Sequence, residues 1–130
     1  MKKFFATKLL AVLPLTFALN VFANEVTAMN VKLISVSVIG ATPTGGHPPG
    51  NMEIRVPAGS IPGGVTCPGN QANEYITWKI STDPDRAMFR VLSDAVVGNK
   101  SVNLRISDNP SLTAWSGRCS LVAAGVNYNY

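Results

Sequence analysis

The segment DPDRAMFRVLSDAVVGNKSVNLRIS, residues 83–107, is the most informative about the fold, because the spacing of its apolar residues changes in the middle. Apolar residues first recur every three or four positions, which is typical of an amphipathic helix. The sequence predicts that this helix follows the cap Asp83, has Pro84 at its first position and ends at Gly98. From Ser101 onward apolar and polar residues alternate, as in a half-buried strand. The predicted apolar faces are Met88, Phe89, Leu92, Ala95 and Val96 in the helix and Val102, Leu104 and Ile106 in the strand.

Three more strands are predicted before this helix and one at the end of the chain. Residues 29–39 are rich in β-branched side chains, and their alternation changes phase between Leu33 and Ile34, which predicts a β-bulge in a long curved strand. Residues 52–56 and 75–80 alternate regularly, and Trp78 falls on the apolar side, which predicts a core position. Residues 119–126 form the last predicted strand.

Two segments rich in glycine and proline, residues 40–51 and 57–70, are predicted loops. The resulting order is three strands, one helix and two strands, and it does not alternate as in a doubly wound sheet. It matches a mainly β fold, an OB-like five-stranded Greek-key barrel with the helix between strands 3 and 4. The alternative is a small two-layer α+β sheet with the helix on one face.

Residues 1–23 have the pattern of a secretory signal peptide. Lys2 and Lys3 precede the apolar run Leu9–Leu19, and Val21-Phe22-Ala23 has small residues where a signal peptidase reads. The run is shorter than the roughly 20 residues that a membrane-spanning helix needs. We therefore expect cleavage after Ala23, one exported domain over residues 24–130, no membrane span, and a secreted or periplasmic location.

The formal charge of +4 depends on the predicted leader. Without Lys2, Lys3 and Lys8, eight basic and seven acidic residues remain, so the charge is +1. The basic residues form no run or stripe along the sequence. We therefore expect no nucleic acid as a partner.

The two cysteines, Cys67 and Cys119, are expected to form a disulfide, because an even number in an oxidising compartment favours a bridge over a metal site or a nucleophile. Two free thiols or an intermolecular bridge are the alternative. The chain-entropy model assigns a bridge over a loop of this size about 4 kcal/mol of stabilisation.

Catalytic chemistry has few candidate residues in this sequence. His47 is the only histidine and lies in a loop rich in glycine and proline, and the carboxylates form no cluster at ligand spacing. No nucleophile elbow and no phosphate-binding glycine motif occurs. We expect no enzyme, no cofactor and no metal site.

The segment SLTAWSGRC, residues 111–119, supplies the candidate ligand contacts. The ring of Trp115 could stack on a sugar while Ser116 and Arg118 bind its hydroxyl groups. The alternative is that Trp115 packs over the disulfide as a lid on the core.

A family resemblance points in the same direction. Residues 87–109, followed by Cys119 and an apolar strand, resemble the binding (B) subunits of bacterial AB5 toxins, especially the subtilase-cytotoxin and pertussis-like group. In that family a helix ending in Gly leads into a Lys-x-Val-x-Leu strand, and a cysteine opens the closing strand. The match covers residues 65–126 and includes Leu92, Ala95, Gly98, Lys100, Val102 and Leu104, with Cys67 and Cys119 as the bridge. The resemblance implies an OB-fold subunit that forms a ring, often a pentamer, and binds host glycans.

Two functions are consistent with these observations. The first is an exported, non-catalytic, ring-forming glycan-binding subunit. The second is a monomeric structural or inhibitory protein whose proline-rich loops bind another protein.

Overall fold

The computed structural model describes residues 23–40, 48–67 and 75–127. These residues form a mainly β structure with one α-helix. The strands are β1 (Glu25–Lys32), β2 (Ser35–Val38), β3 (Met52–Arg55), β4 (Tyr75–Trp78), β5 (Ser101–Ser107) and β6 (Cys119–Val126), and helix α1 (Ala87–Val97) lies between β4 and β5. In these ranges no helix is long and apolar enough to cross a membrane.

The described strands form one mixed sheet in the order β1-β5-β6-β4-β3-β2. Neighbouring strands are antiparallel except β4 and β6, which are parallel. The sheet has six strands where five were expected, because the predicted strand 29–39 is divided between β1 and β2. The closed barrel is not confirmed either, since β1 and β2 are the two edges of the sheet.

The predicted phase change has a clear structural cause. The register of β1 against β5 shifts between Ala28 and Val31, and Asn30 between them has a left-handed backbone with φ 56°. The next strand then pairs with β3 instead of β5, and the Ile34 N–H already donates to the Arg55 carbonyl at 2.8 Å. The predicted bulge therefore lies at residues 28–31, before the point where the chain changes partner.

The two edges of the sheet are joined by only Leu33 and Ile34. Because each residue extends the chain by at most about 3.6 Å, the Cα atoms of Lys32 and Ser35 lie within about 11 Å of each other. In a flat sheet of six strands spaced by about 4.8 Å, the two edge strands would lie about 24 Å apart. The sheet therefore curls enough to bring the end of β1 near the start of β2.

Helix α1 packs its predicted face on the curled sheet. Leu92 and Ala95 are fully buried, and Met88 and Phe89 pack against the same core. On the sheet side the core contains the side chains of Ile54, Ile76, Trp78, Val102, Leu104 and Ile106, all of which are buried. The predicted core positions of the helix and strand are thus confirmed, apart from Val96, which is partly exposed.

The start of α1 differs from the prediction, whereas its end at Gly98 is as predicted. The helix begins at Ala87 because residues 84–85 form a turn and Arg86 has a left-handed backbone with φ 54°. Asp83 still caps it: its carboxylate accepts hydrogen bonds from the N–H groups of Met88 at 3.2 Å and Phe89 at 3.1 Å. The cap thus lies several residues ahead of the helix it closes.

At the other end Gly98 is not the left-handed residue that stops the helix. That role belongs to Asn99, with φ 50°. Its N–H donates to the Val96 carbonyl at 3.2 Å, and the Lys100 N–H donates to the Ala95 carbonyl at 2.8 Å. These two bonds form a Schellman motif, which satisfies the last carbonyl groups of the helix.

Candidate functional site

The outward face of β3 and β4 meets the loop between β5 and β6. In the register of β3 and β4, Arg55 lies opposite Tyr75 and Glu53 lies opposite Thr77. Cys119 of β6 pairs with Ile76 of β4, which brings the preceding residue, Arg118, next to this face. Residues from three separate segments therefore converge at one place.

Arg118 is the centre of this group. Its guanidinium carbon lies 4.6 Å from the centroid of the Tyr75 ring and 4.7 Å from that of the Trp115 ring. Nη1 donates to Glu53 Oε2 at 2.5 Å, and the two charged side chains are only 16% and 17% exposed. We call Arg118, Glu53, Tyr75 and Trp115 the Arg118 cluster.

The cluster is held by two kinds of attraction. A guanidinium over an aromatic face gains about 0.5–1 kcal/mol when exposed and about 2 kcal/mol when desolvated. The Glu53 carboxylate supplies the opposite charge that a half-buried cation requires. A second cation lies near the cluster, since the guanidinium of Arg55 is 5.6 Å from the Tyr75 ring.

A tight turn holds Trp115 against Arg118. The hydroxyl of Thr113 accepts a hydrogen bond from the Trp115 N–H at 3.2 Å and donates to the Arg118 carbonyl at 3.1 Å. The Arg118 N–H donates to the Trp115 carbonyl at 3.1 Å, and Gly117 has the positive φ, 82°, that this turn requires. Ser116 is exposed at the tip of the turn.

The rest of the loop is tied to the sheet. Lys79 Nζ donates to the Ser111 carbonyl at 2.9 Å, and the Asn109 side-chain oxygen accepts from the Ser111 N–H at 3.0 Å. The Asn109 N–H donates to the Ser107 hydroxyl at 3.2 Å. These bonds pre-organise the loop that carries Trp115, so a ligand would not have to order it.

The predicted disulfide is confirmed. Cys67 and Cys119 are bonded, with Cα atoms 5.2 Å apart and a separation of 52 in sequence. Cys119 is fully buried at the start of β6, directly after Arg118. The bridge therefore fixes the start of β6, directly after Arg118, to Cys67.

The predicted ligand contacts have different surroundings in the structure. Trp115 and Arg118 are stacked on each other, whereas Ser116 is exposed to solvent. Tyr75 and Glu53 were missed by the sequence analysis. Their outward position could be read from the alternation of their strands, but their proximity to Arg118 depends on a register between distant strands.

The structure bears on the expected absence of a metal site only for the residues that it describes. Among residues 23–40, 48–67 and 75–127, no group of three or more His, Cys, Asp or Glu side chains could hold a metal ion. His47 lies outside the described residues, as do parts of both predicted loops, residues 41–47 and 68–70. The described part of the second loop contributes Ile61 to the core.

Comparison with known proteins adds no relative: the chain matches no protein family, no curated protein and no solved structure.

Proposed function

We propose that this protein is an exported, disulfide-bonded binding protein without catalytic activity of its own, and that it binds a glycan at the Arg118 cluster. The observation that carries the proposal is the half-buried ring of Trp115, which a pre-organised turn and a stacked guanidinium hold beside the exposed Ser116. Aromatic rings that are fixed at a surface stack on sugars, and adjacent hydroxyl groups provide hydrogen bonds.

The three predicted contact residues have different roles in this proposal. Arg118 is already paired with Glu53 and enclosed by two rings, so it positions Trp115. Trp115 and Ser116 make the direct contacts with the sugar. Tyr75 supports Arg118 from the other side.

We also propose that the curled sheet is an OB-type barrel in which β1 and β2 are the halves of one bent strand. The strand order supports this, because joining β1 to β2 makes the order circular. OB folds bind oligosaccharides and oligonucleotides on their second and third strands and on two adjoining loops. In this correspondence those strands are β3 and β4, and one loop is residues 108–118. The Arg118 cluster has members on all three.

The resemblance to AB5 toxin B subunits extends the proposal to a ring, such as a pentamer, of glycan-binding subunits. Weak individual sites gain avidity when a ring presents several of them together. Exposed apolar side chains at Met29 (60%), Ile34 (50%) and Val97 (89%) support contact between protein surfaces.

The test uses the mature protein, exported and oxidised, on a glycan array followed by titration calorimetry with any glycan that binds. Trp115→Ala should reduce affinity at least tenfold, whereas Trp115→Phe should keep part of it because a ring remains. Arg90→Ala removes an exposed arginine of α1 that is not part of the Arg118 cluster, and should leave affinity unchanged. If no glycan binds, or Trp115→Ala binds as well as the native chain, this proposal is wrong.

A second candidate function is that of a monomeric protein that binds another protein. The same exposed residues, Met29, Ile34 and Val97, favour it, because a monomer that leaves them uncovered has an apolar surface to offer. Native mass spectrometry separates the two candidates. A ring favours the multivalent glycan-binding subunit, and a monomer that co-purifies with one protein from the native envelope favours the second function.

A further inference from the structure

The start of the described chain is bonded to the end of β5. Glu25 pairs with Ser107 at this end of the sheet, so Asn24 lies opposite Asp108. The backbone N–H of Asn24 donates to Asp108 Oδ1 at 2.7 Å, and its side-chain amide donates to Oδ2 at 3.3 Å. In return, the Asp108 N–H donates to the Asn24 carbonyl at 3.1 Å.

Asp108 also binds a third segment. The Thr66 N–H donates to Asp108 Oδ2 at 3.0 Å, one residue before the disulfide at Cys67. The preceding turn lies close against β1, where a Cβ on Gly64 would be 3.1 Å from Val26. The Asp108 carboxylate therefore joins the start of β1, the segment before the disulfide and the end of β5.

The carboxylate is charged at neutral pH. Desolvation raises the pKa of Asp108, but the hydrogen bonds from Thr66 and Asn24 outweigh it and hold the pKa below its usual value of 3.8. Asp108 therefore keeps its negative charge. The attraction between this charge and a cation adds to the hydrogen bonds that the carboxylate already accepts.

The shortest hydrogen bond that the structure gives the Asp108 carboxylate comes from the nitrogen of the peptide bond that we expect a signal peptidase to cut. Ala23 and Asn24 are both exposed, so this bond is accessible in the folded chain. Hydrolysis by that peptidase adds one water: the Ala23 carbonyl becomes a carboxylate on the released leader, and the Asn24 nitrogen becomes an amine. At neutral pH this amine takes up a proton and is an ammonium group, since its usual pKa is about 7.7–8.0.

We infer that Asp108 is the binding site for the α-ammonium group of the mature protein, so that removal of the leader creates an ion pair and strengthens the fold. This inference rests on the export part of the proposed function and is independent of glycan binding. Before cleavage the Asn24 nitrogen offers one neutral donor to Asp108. After cleavage it offers a full charge and up to three donors, at a position where the nitrogen already lies 2.7 Å from Asp108 Oδ1.

The first measurement is the intact mass of the protein after export of the full chain. The expected product starts at Asn24. A product that starts at another residue overturns the inference but not export, whereas a product that keeps the leader overturns the inference and the export proposal together, whatever the result of the glycan array.

The second measurement compares two oxidised proteins, one starting at Asn24 and one starting at Ala23. The longer chain keeps the amide that the structure records at Asn24 and moves the ammonium group one residue away. We expect the chain starting at Asn24 to have a two- to fivefold larger folding equilibrium constant at pH 6, about the size of an exposed ion pair. Asp108→Asn should remove this difference. Equal stability of the two proteins, with Asp108 intact, overturns the ion pair even if cleavage occurs before Asn24.

A titration followed by NMR provides a direct readout in case Asp108→Asn folds poorly. The pKa of the Asn24 amino group should lie above that of the Ala23 amino group in the longer chain. The stability advantage should be fully present below about pH 7.7 and be lost as pH rises through the raised pKa of the folded protein. Identical pKa values for the two amino groups would contradict the inference.

Discussion

The indole N–H of Trp78 donates to the carboxylate of Asp83 at 3.2 Å, and both side chains are buried. The same carboxylate accepts the N–H groups of Met88 and Phe89 at the start of α1. One acidic side chain thus connects the largest core residue of β4 to the helix that covers the core.

Replacement of Asp83 should therefore be costly. Asp83→Ala leaves the buried indole N–H and the helix start without an acceptor, and we expect a loss of about 2–4 kcal/mol in the free energy of unfolding. Urea unfolding followed by tryptophan fluorescence measures it. Asp85→Ala is the matched control, because Asp85 is exposed and lies outside the helix; it should change stability by less than about 0.5 kcal/mol. Similar losses in the two variants would contradict this role of Asp83.

Removal of the disulfide should lower stability by about 2–4 kcal/mol, since the bridge closes a long loop in the unfolded chain. Thermal unfolding with and without reductant measures the change in the native protein. A variant with Cys67→Ser and Cys119→Ser should unfold at the temperature of the reduced protein and should not respond to reductant. An unchanged unfolding temperature after complete reduction would show that the bridge adds nothing.

Loss of Arg118 should destabilise the protein because its ion-pair partner, Glu53, loses the opposite charge. Arg118→Ala leaves the Glu53 carboxylate half-buried without its cation, and we expect a loss of about 1–3 kcal/mol. In a double-mutant cycle, Glu53→Gln should recover part of that loss because it removes the uncompensated charge. Arg90→Ala serves as the control on the exposed side of α1. If the two single variants are additive, the ion pair does not contribute to stability.

Protonation of Asp108 should contribute to the unfolding of the protein in acid. Because its pKa is lowered in the folded protein, its contribution is present above the pKa of the unfolded chain and is lost as pH falls through the lower folded pKa. We therefore expect stability to fall below about pH 4. Asp108→Asn should flatten this part of the profile of unfolding temperature against pH, whereas Asp94→Asn on the exposed surface of α1 should not. A native-like acid profile in Asp108→Asn would contradict this assignment.

The helix C-terminus offers a test of backbone conformation. Asn99 has φ 50°, a conformation that costs an alanine about 1 kcal/mol and glycine nothing. Asn99→Ala should therefore destabilise the protein by about that amount, while Asn99→Gly should be close to neutral. Thermal unfolding of both variants decides this, and equal effects would mean that the conformation of residue 99 is not what limits the substitution.

The sequence predicted those parts of the fold that depend on neighbouring residues. The helix face and the strand that follows it were read from local periods, and burial of Leu92 and Leu104 confirms both. The helix start was predicted too early because Arg86 adopts a left-handed backbone, and the Asp83 side chain reaches across the turn. The division of residues 29–39 into two strands depends on their pairing with β5 and then with β3, which no local pattern contains.

The candidate site was only half predictable for the same reason. Trp115 and Arg118 are three positions apart, and one turn brings them together. Glu53 and Tyr75 reach Arg118 through the pairing of β3 with β4 and of β4 with β6. Their role follows from registers between segments that are tens of residues apart.

The short link between β1 and β2 also bears on aggregation. A free strand edge is a template on which another chain can add a strand, and proteins protect such edges with bulges, charges and short strands. Both edges of this sheet belong to one segment of chain: β2 is four residues long, and β1 is interrupted at Asn30. Within the described residues, the regular edge segments are therefore only four residues long, 25–28 and 35–38, and the first begins with the charged Glu25. A second molecule has little backbone there on which to add a strand.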